Sequence, residues 1–140
     1  MRVLLDTNVL SETTRPVPEE RVLEFLQQGL PSYVSVMTLH ELRHGAEQLP
    51  ASKRRRILLS WVASMRAAYG SCMLPITEEI AERAAVLRSE ASCQGRVLHI
   101  EDAMIAATAL VHELTLVTRN IADFETTGVG LHNPWIAGTL

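Results

Sequence analysis

The sequence predicts an α/β fold, a parallel sheet with helices on both faces, and three observations carry that prediction. Short apolar runs alternate along the chain with longer segments of helical periodicity, the order from which right-handed βαβ crossovers are built. The opening run Val3, Leu4 and Leu5 has three consecutive large aliphatic residues, one of them β-branched, which suits a strand covered on both faces. That run halts at a carboxylate, Asp6. The carboxyl edge of an open parallel sheet is where ligands bind, so an acid placed there is a site candidate before any motif is consulted. Read locally, Asp6-Thr7-Asn8 is equally a turn with side-chain to backbone hydrogen bonds.

After that strand, apolar Val22, Leu23, Phe25 and Leu26 predict a helix over 18–28, with Pro18 near its first turn and Gly29 just past its end. A brief strand is expected over 33–36. A helix over 38–49 follows, closed by Pro50. Residues 52–69 carry Ile57, Leu58, Trp61, Val62, Met65 and Tyr69 at helical spacing, stopped by Gly70. Residues 72–76 read as a strand, Thr77 as the cap of a helix to about 92, and Gln94-Gly95 as its exit. A helix over 100–113, a strand over 114–118, a helical turn over 121–124 and a last strand over 129–132 complete the chain. No repeat, linker or low-complexity tract interrupts it.

A length of 140 residues fits a single domain, 1–140, able to bury a real core. With 47% hydrophobic and 21% charged residues the composition is ordinary globular material, and no apolar run approaches the roughly 20 residues of a membrane span. No secretory signal is seen, and two cysteines make no disulfide framework, so Cys72 and Cys93 are expected to be reduced and structural in a cytoplasmic protein. The net charge of −3 excludes a generic nucleic-acid coat; any such partner must be held by local arginines or through metal ions.

Three further acids fall where Asp6 could meet them. Glu41 lies early in the helix after the second strand, and Asp102 in the first turn of the helix before the 114–118 strand. Asp123 follows that strand, beyond Arg119 and Asn120. Ala103, Ala106, Ala107 and Leu110 beside Asp102 form a small-residue stripe able to press closely on a sheet. Each acid has a local explanation: Thr38-x-x-Glu41 satisfies the capping-box pattern, and Glu101 and Asp102 suit a helix N-terminus by charge alone. Those explanations do not account for all the acids lying on one edge. Converging carboxylates repel unless a cation neutralises them, and hard oxygen donors without ligating Cys or His favour Mg²⁺, with Mn²⁺ as the alternative. Such ions bridge phosphate oxygens and activate water in phosphodiester hydrolysis.

On these residues the chain resembles the PIN-domain ribonucleases, specifically the VapC-like toxins of type II toxin-antitoxin pairs. The resemblance spans essentially the whole length. It is carried by Leu4-Leu5-Asp6-Thr7-Asn8, by Glu41-Leu42-Arg43-His44-Gly45, by the segment from Glu101-Asp102-Ala103 to Ala109, and by Thr118-Arg119-Asn120-Ile121-Ala122-Asp123-Phe124. It implies a three-layer α/β/α sandwich on a mostly parallel, five-stranded sheet. It also implies Mg²⁺-dependent endonucleolysis of RNA, often tRNA or ribosomal RNA, a homodimer, and a cognate antitoxin that blocks the site. By that match Asp6, Glu41, Asp102 and Asp123 are the acidic set, with Asp6 and Asp102 the leading metal ligands. Asn8 and Thr118 support them, and Arg119 meets a phosphate. Two positions depart from the pattern: Asn120 stands where some relatives carry another acid, and His99 stands where a Ser or Thr would cap the Asp102 helix.

A rival motif overlaps the same region, since His40-Glu41-Leu42-Arg43-His44 is literally H-E-x-x-H, a zinc-protease pattern. Leu39, Leu42, Ala46 and Leu49 form a narrow buried stripe from which His40 and His44 point away, and Glu47 occupies the glycine position of the longer zinc-protease pattern. Other phosphate-handling classes lack their signatures. There is no G-x-x-x-x-G-K-[ST] loop, no second Asp two residues after Asp6, and no late-strand lysine, the sole lysine being Lys53. A non-enzymatic protein-binding module, its acids serving only as caps and turns, is the other alternative. Lys53-Arg54-Arg55-Arg56 reads either as a solvated face or as an RNA backbone contact, and Leu23, Phe25, Leu26 and Trp61 either as core or as a protein interface.

Overall fold

A computed structural model of the chain describes residues 1–136; the last four residues of the expected 1–140 domain lie outside that range. Strand β1 (Val3–Leu5) pairs in parallel on both sides, Val3 opposite Ser32 of β2 (Ser32–Ser35) and opposite Thr115 of β4 (Thr115–Val117). Strands β3 (Met73–Leu74) and β5 (Leu131–His132) close the edges, so the order is β3-β2-β1-β4-β5 with every pairing parallel. The chain steps from β1 outward through β2 and β3, then returns to the other side of β1 through β4 and β5. The reversal of strand order therefore lies at the β1/β4 crevice, the place where open α/β sheets bind ligands.

Alternation along each strand divides the core in two. Leu4 and Leu116 face the layer made by α5 (Glu78–Cys93) and α6 (Ile100–Val111), where Ile80, Ala84, Leu87, Ala103 and Ala106 join them. Val3, Leu5, Val34 and Val117 face the opposite layer, built from α1 (Thr7–Glu12), α2 (Glu20–Gln27), α3 (Val36–Glu47) and α4 (Lys53–Tyr69), with Val9, Phe25, Leu42 and Val62. Side chains of this size contribute about 1.5–3 kcal/mol each when fully buried. Helix α6 is buried nearly all round: Ala103, Ala106, Ala107 and Ala109 are inaccessible, and their small side chains let it lie between the sheet and α5.

Most expected elements appear, several with shifted ends. The second strand yields to helix one residue earlier than the apolar pattern suggested, because Ser35 caps α3 by accepting from the Met37 N–H at 3.0 Å. The capping-box reading of Thr38 and Glu41 is therefore wrong: both lie inside the helix, and Thr38 is buried. Helix α6 ends at Val111 rather than 113; Glu113 takes a left-handed φ of 54°, and the Leu114 N–H closes on the Ala109 carbonyl at 2.8 Å, a Schellman arrangement. The strands expected over 72–76 and 129–132 shrink to two residues each, the first preceded by a 3-10 turn, Gly70–Cys72. Ile57, expected in the helical core stripe, is 56% exposed. Both cysteines are free thiols, Cys72 half-buried and Cys93 exposed. Among the described residues no helix is long and apolar enough to cross a membrane.

Candidate active site

All the singled-out acids lie at the carboxyl edge of the sheet. Asp6 follows β1 directly and is the N-cap of α1, a helix the sequence did not predict because Thr7, Asn8 and Val9 are poor helix formers. Helix α3 continues from β2 without a loop and carries Glu41 one and a half turns in. Asp102 sits in the first turn of α6, which runs back toward the start of β4. Asp123 belongs to the 3-10 turn Ile121–Phe124, which follows β4. Helix α3 packs against both α1 and α6, and α6 against the 3-10 turn, which brings four chain-distant segments to one notch.

Asp6 is the fixed point. Only 6% of it is exposed, and its carboxylate accepts three hydrogen bonds: Oδ2 from the Thr118 hydroxyl at 2.8 Å and from Asn8 Nδ2 at 3.4 Å, Oδ1 from the Thr7 N–H at 2.8 Å. Asn8 Nδ2 also reaches Thr118 Oγ1 at 3.2 Å, and its own Oδ1 accepts from the Arg119 N–H at 3.2 Å. Thr118 Oγ1 in turn accepts from the Asn120 N–H at 3.1 Å. The end of β1 and the end of β4 are thus tied together by the side chains at 6, 8 and 118. A carboxylate has about four lone-pair sites, so three donors leave one free, on Oδ1.

The other acids are held less tightly and repel one another. Burial raises the Glu41 carboxyl to about 7, with the charges of Asp6, Asp102 and Glu101 adding and a hydrogen bond from Thr7 opposing. Asp102 is pushed up to about 6, first by burial, then by the charges of Asp6 and Asp123, while His99 opposes. Burial also raises Asp6, against the stabilising bonds from Thr118 and Thr7, with the Asp123 charge adding. These mutual effects tie Asp6, Glu41, Asp102 and Asp123 into one electrostatic cluster. Asp123 itself is exposed.

The donor set suits a hard divalent cation. Its oxygens are uncompensated negative charges in a partly desolvated notch, with no thiolate or imidazole among them. Among the described residues no group of three or more His, Cys, Asp or Glu side chains is arranged to enclose an ion. The H-E-x-x-H motif is divided by the helix. His40 and His44 stack, ring centroids 5.9 Å apart, along an exposed groove between α3 and α4 of about 630 Å³, whereas Glu41 lines a separate cavity of about 170 Å³ with Thr7 and Ser11. A glutamate facing away from its two histidines cannot serve as base for a metal they hold.

His99 occupies the N-cap position of α6 but its side chain makes no capping bond; it lies exposed beside the notch. In the four-cation run Arg55 is taken up by Glu47 at 3.0 Å, and Arg43 reaches the same carboxylate at 3.2 Å. Phe25 is core, whereas Leu23, Leu26 and Trp61 are half-buried. Two participants carry no role in the sequence reading. The Thr7 hydroxyl bonds Thr38 Oγ1 at 3.2 Å and joins α1 to the helix bearing Glu41; its position directly after Asp6 was the available signal. Glu12 is 5% exposed and accepts from the Glu19 N–H at 2.9 Å and from Arg15 at 3.4 Å, fixing the α1–α2 loop; nothing local marks it.

Comparison with known proteins agrees with this geometry. The PIN domain family model matches residues 3–128. Toxin FitB of Neisseria gonorrhoeae is 38% identical over 136 residues, 95% of this chain and 98% of its own, and the crystal structure of FitAcB from that organism superposes with a TM-score of 0.89 at 38% identity over the same shares. VapC ribonuclease Y4jK of Sinorhizobium fredii is 34% identical over 136 residues, 95% of this chain and 97% of its own. A toxin-antitoxin complex from Klebsiella pneumoniae matches at 30% identity with a TM-score of 0.68, covering 94% of this chain and 97% of the other. The sandwich, its five-stranded parallel sheet and the motifs at its carboxyl edge have one common reading: this chain belongs to the PIN-domain family, among the VapC-like toxins.

Proposed function

We propose that this chain is a Mg²⁺-dependent endoribonuclease, the toxin of a type II toxin-antitoxin pair, acting in the cytoplasm as a homodimer and restrained by a cognate antitoxin. The relatives named as a toxin, as a ribonuclease and as part of a toxin-antitoxin complex support the class. The observation that carries the chemistry is Asp6, buried at the strand-order reversal with one lone pair unspent, while the repulsion it shares with Glu41 and Asp102 calls for a cation.

Asp6 and Asp102 are the leading ligands, with Glu41 and Asp123 completing the acidic set. What a bound divalent ion supplies here is a water of lowered pKa and neutralisation of charge on the phosphate. Asn8 and Thr118 orient Asp6 by occupying Oδ2, so that the unspent lone pair is on Oδ1, whose one donor is the Thr7 N–H. Outer groups of this kind tune a site as strongly as its ligands do. Glu41, whose carboxyl is raised by burial and by the charges of Asp6, Asp102 and Glu101, belongs to the set whose repulsion a bound cation would relieve. Arg119, placed on the rim by the Asn8 contact, meets a phosphate oxygen of the substrate. The rest of catalysis is positioning for in-line attack.

The direct test incubates the purified protein with total RNA and Mg²⁺, with and without chelator, and maps the new ends. Discrete, chelator-sensitive ends are expected. Intact RNA at saturating Mg²⁺ and Mn²⁺ would leave the protein-binding module as the better reading.

A further inference from the structure

The rim that carries Arg119 continues into a surface cleft whose other residues take no part in the chemistry above. This cleft, of about 460 Å³, opens where the α1–α2 loop faces the segment after β5, and Arg15, Arg119 and Trp135 line it. Arg119 is held in place from two sides. Its N–H is bonded to Asn8, and its guanidinium lies 5.3 Å from the centroid of the Trp135 ring. Trp135 is itself fixed: its carbonyl accepts from Arg21 at 3.2 Å and its N–H donates to Asn133 Oδ1 at 2.9 Å. Among the described residues no carboxylate pairs with Arg119, so its charge is not neutralised. On the facing wall Arg15 is tethered at one nitrogen to buried Glu12 while 62% of its side chain stays exposed.

Helix α1 connects the two features, beginning one residue after Asp6 and ending at Glu12, six residues or roughly 9 Å of helix. A strand seated in the notch therefore has a second pair of cations within reach, one of them anchored to the residue that orients Asp6. A guanidinium held in place, with its charge unspent, suits a phosphate, which its planar fork can meet with two hydrogen bonds. Glu12, Glu19 and Glu20 also line the cleft; Glu12 is engaged by Arg15 and by the Glu19 N–H, which leaves Arg119 as the lining cation with no carboxylate partner among the described residues.

We infer that this cleft is a second phosphate seat for the RNA strand, with Arg15 and Arg119 supplying its charge and Trp135 bracing Arg119. The inference rests on the ribonuclease reading and deepens it, placing the backbone next to the cut phosphate along α1.

The test measures binding of a short single-stranded RNA of mixed sequence to the full-length protein made cleavage-deficient by Asp102→Asn, over a range of salt concentrations. In that background Arg15→Ala and Arg119→Ala each flatten the dependence of log affinity on log salt by about 0.7, the single-strand value for one lost phosphate contact. Trp135→Ala gives the loss of Arg119→Ala, and Trp135→Phe, which keeps a ring and guards against misfolding, retains most of the slope. Arg83→Ala, an exposed cation on α5, leaves it unchanged. With Asp102 intact, the two arginine variants raise KM and keep kcat. An unaltered slope in both arginine variants overturns the inference, as does undiminished RNA affinity accompanied by lost binding of a protein partner. RNA binding through the cleft by a protein that never cleaves would uphold the seat and defeat the nuclease reading; cleavage with unaltered KM in the variants would do the reverse.

Discussion

The two walls of the notch are built differently. On the β1/β4 wall Asp6 is buried and held by three donors, and those donors are held in turn by Arg119 and Asn120 N–H groups. On the helical wall Glu41 and Asp102 are half-exposed and project from separate helices, with only Thr7 bonding one of them. The first wall is a fixed geometric reference and the second an adjustable charge reservoir. A cation would take its position from the first and its binding energy from relieving repulsion in the second.

The largest effect separates the walls from the rest of the protein. Asp6→Asn and Asp102→Asn keep charge-independent packing but remove a proposed ligand, so each should lower cleavage by well over the roughly 10–100-fold typical of losing an outer-shell partner. Far-UV circular dichroism should show the fold intact. Near-normal cleavage in both variants would remove the shared cation from the mechanism.

The next effect sharpens the contrast within the first wall. Thr118→Val and Asn8→Ala leave every acid in place yet each removes one of the two donors to Asp6 Oδ2, and each should weaken divalent-ion affinity by about 10–100-fold, read by titration calorimetry. If the two walls were equivalent, a Thr7→Val change on the helical side would cost as much. The difference in build predicts less.

These walls were unequally legible in the sequence. Asp6 stood out because an apolar run ending at a carboxylate is a local signal, and α6 because its alanines recur at helical spacing. Helix α1 was missed, since Thr7, Asn8 and Val9 resist helix formation on their own and are held by packing on Val9 and Leu10. The Ser35 cap was missed for another reason: Val36 and Met37 continue the apolar pattern of β2, and periodicity cannot divide a strand from a helix that follows without a turn. Trp135 depends on contacts with Arg119 and Arg21 that are remote in sequence, so no window of the chain contains the information that places it.

Acidity gives a smaller effect with a definite sign. Between about 4.5 and about 7 Glu41 is protonated in the folded chain and ionised in the unfolded one, and Asp102 behaves likewise between 3.8 and about 6. The folded state then binds more protons, so metal-free stability falls as pH rises through that window, the reverse of the usual paired carboxylate. Because both groups are half-exposed, water screens much of the repulsion, and the decline in melting temperature should amount to a few degrees. Glu41→Gln should flatten it, and Mg²⁺ at the alkaline end should offset it. With metal present the activity runs oppositely, falling as the pH drops and protons compete with the cation for the carboxylates. A melting temperature that climbs with pH in the metal-free protein would mean that these acids are compensated by something other than a cation.

The smallest effect concerns how the helical wall acquires Asp123. The 3-10 turn that carries it is too short to define its own position, and Arg96, from the loop between α5 and α6, donates to the Ala122 carbonyl at 3.0 Å and to Glu125 at 3.1 Å. Arg96→Ala removes a largely exposed ion pair worth at most about 1 kcal/mol, so stability should barely change. The turn, however, loses its link to the loop that leads into the Asp102 helix. A severalfold drop in kcat with unaltered KM is expected, because substrate still meets Arg119 while one acid is misplaced. Glu125→Gln tests the same link from the other end: the Ala122 bond survives, so its activity should lie close to that of the parent. Equal losses in the two variants would make the ion pair, and not the carbonyl contact, the device that holds Asp123 against the notch.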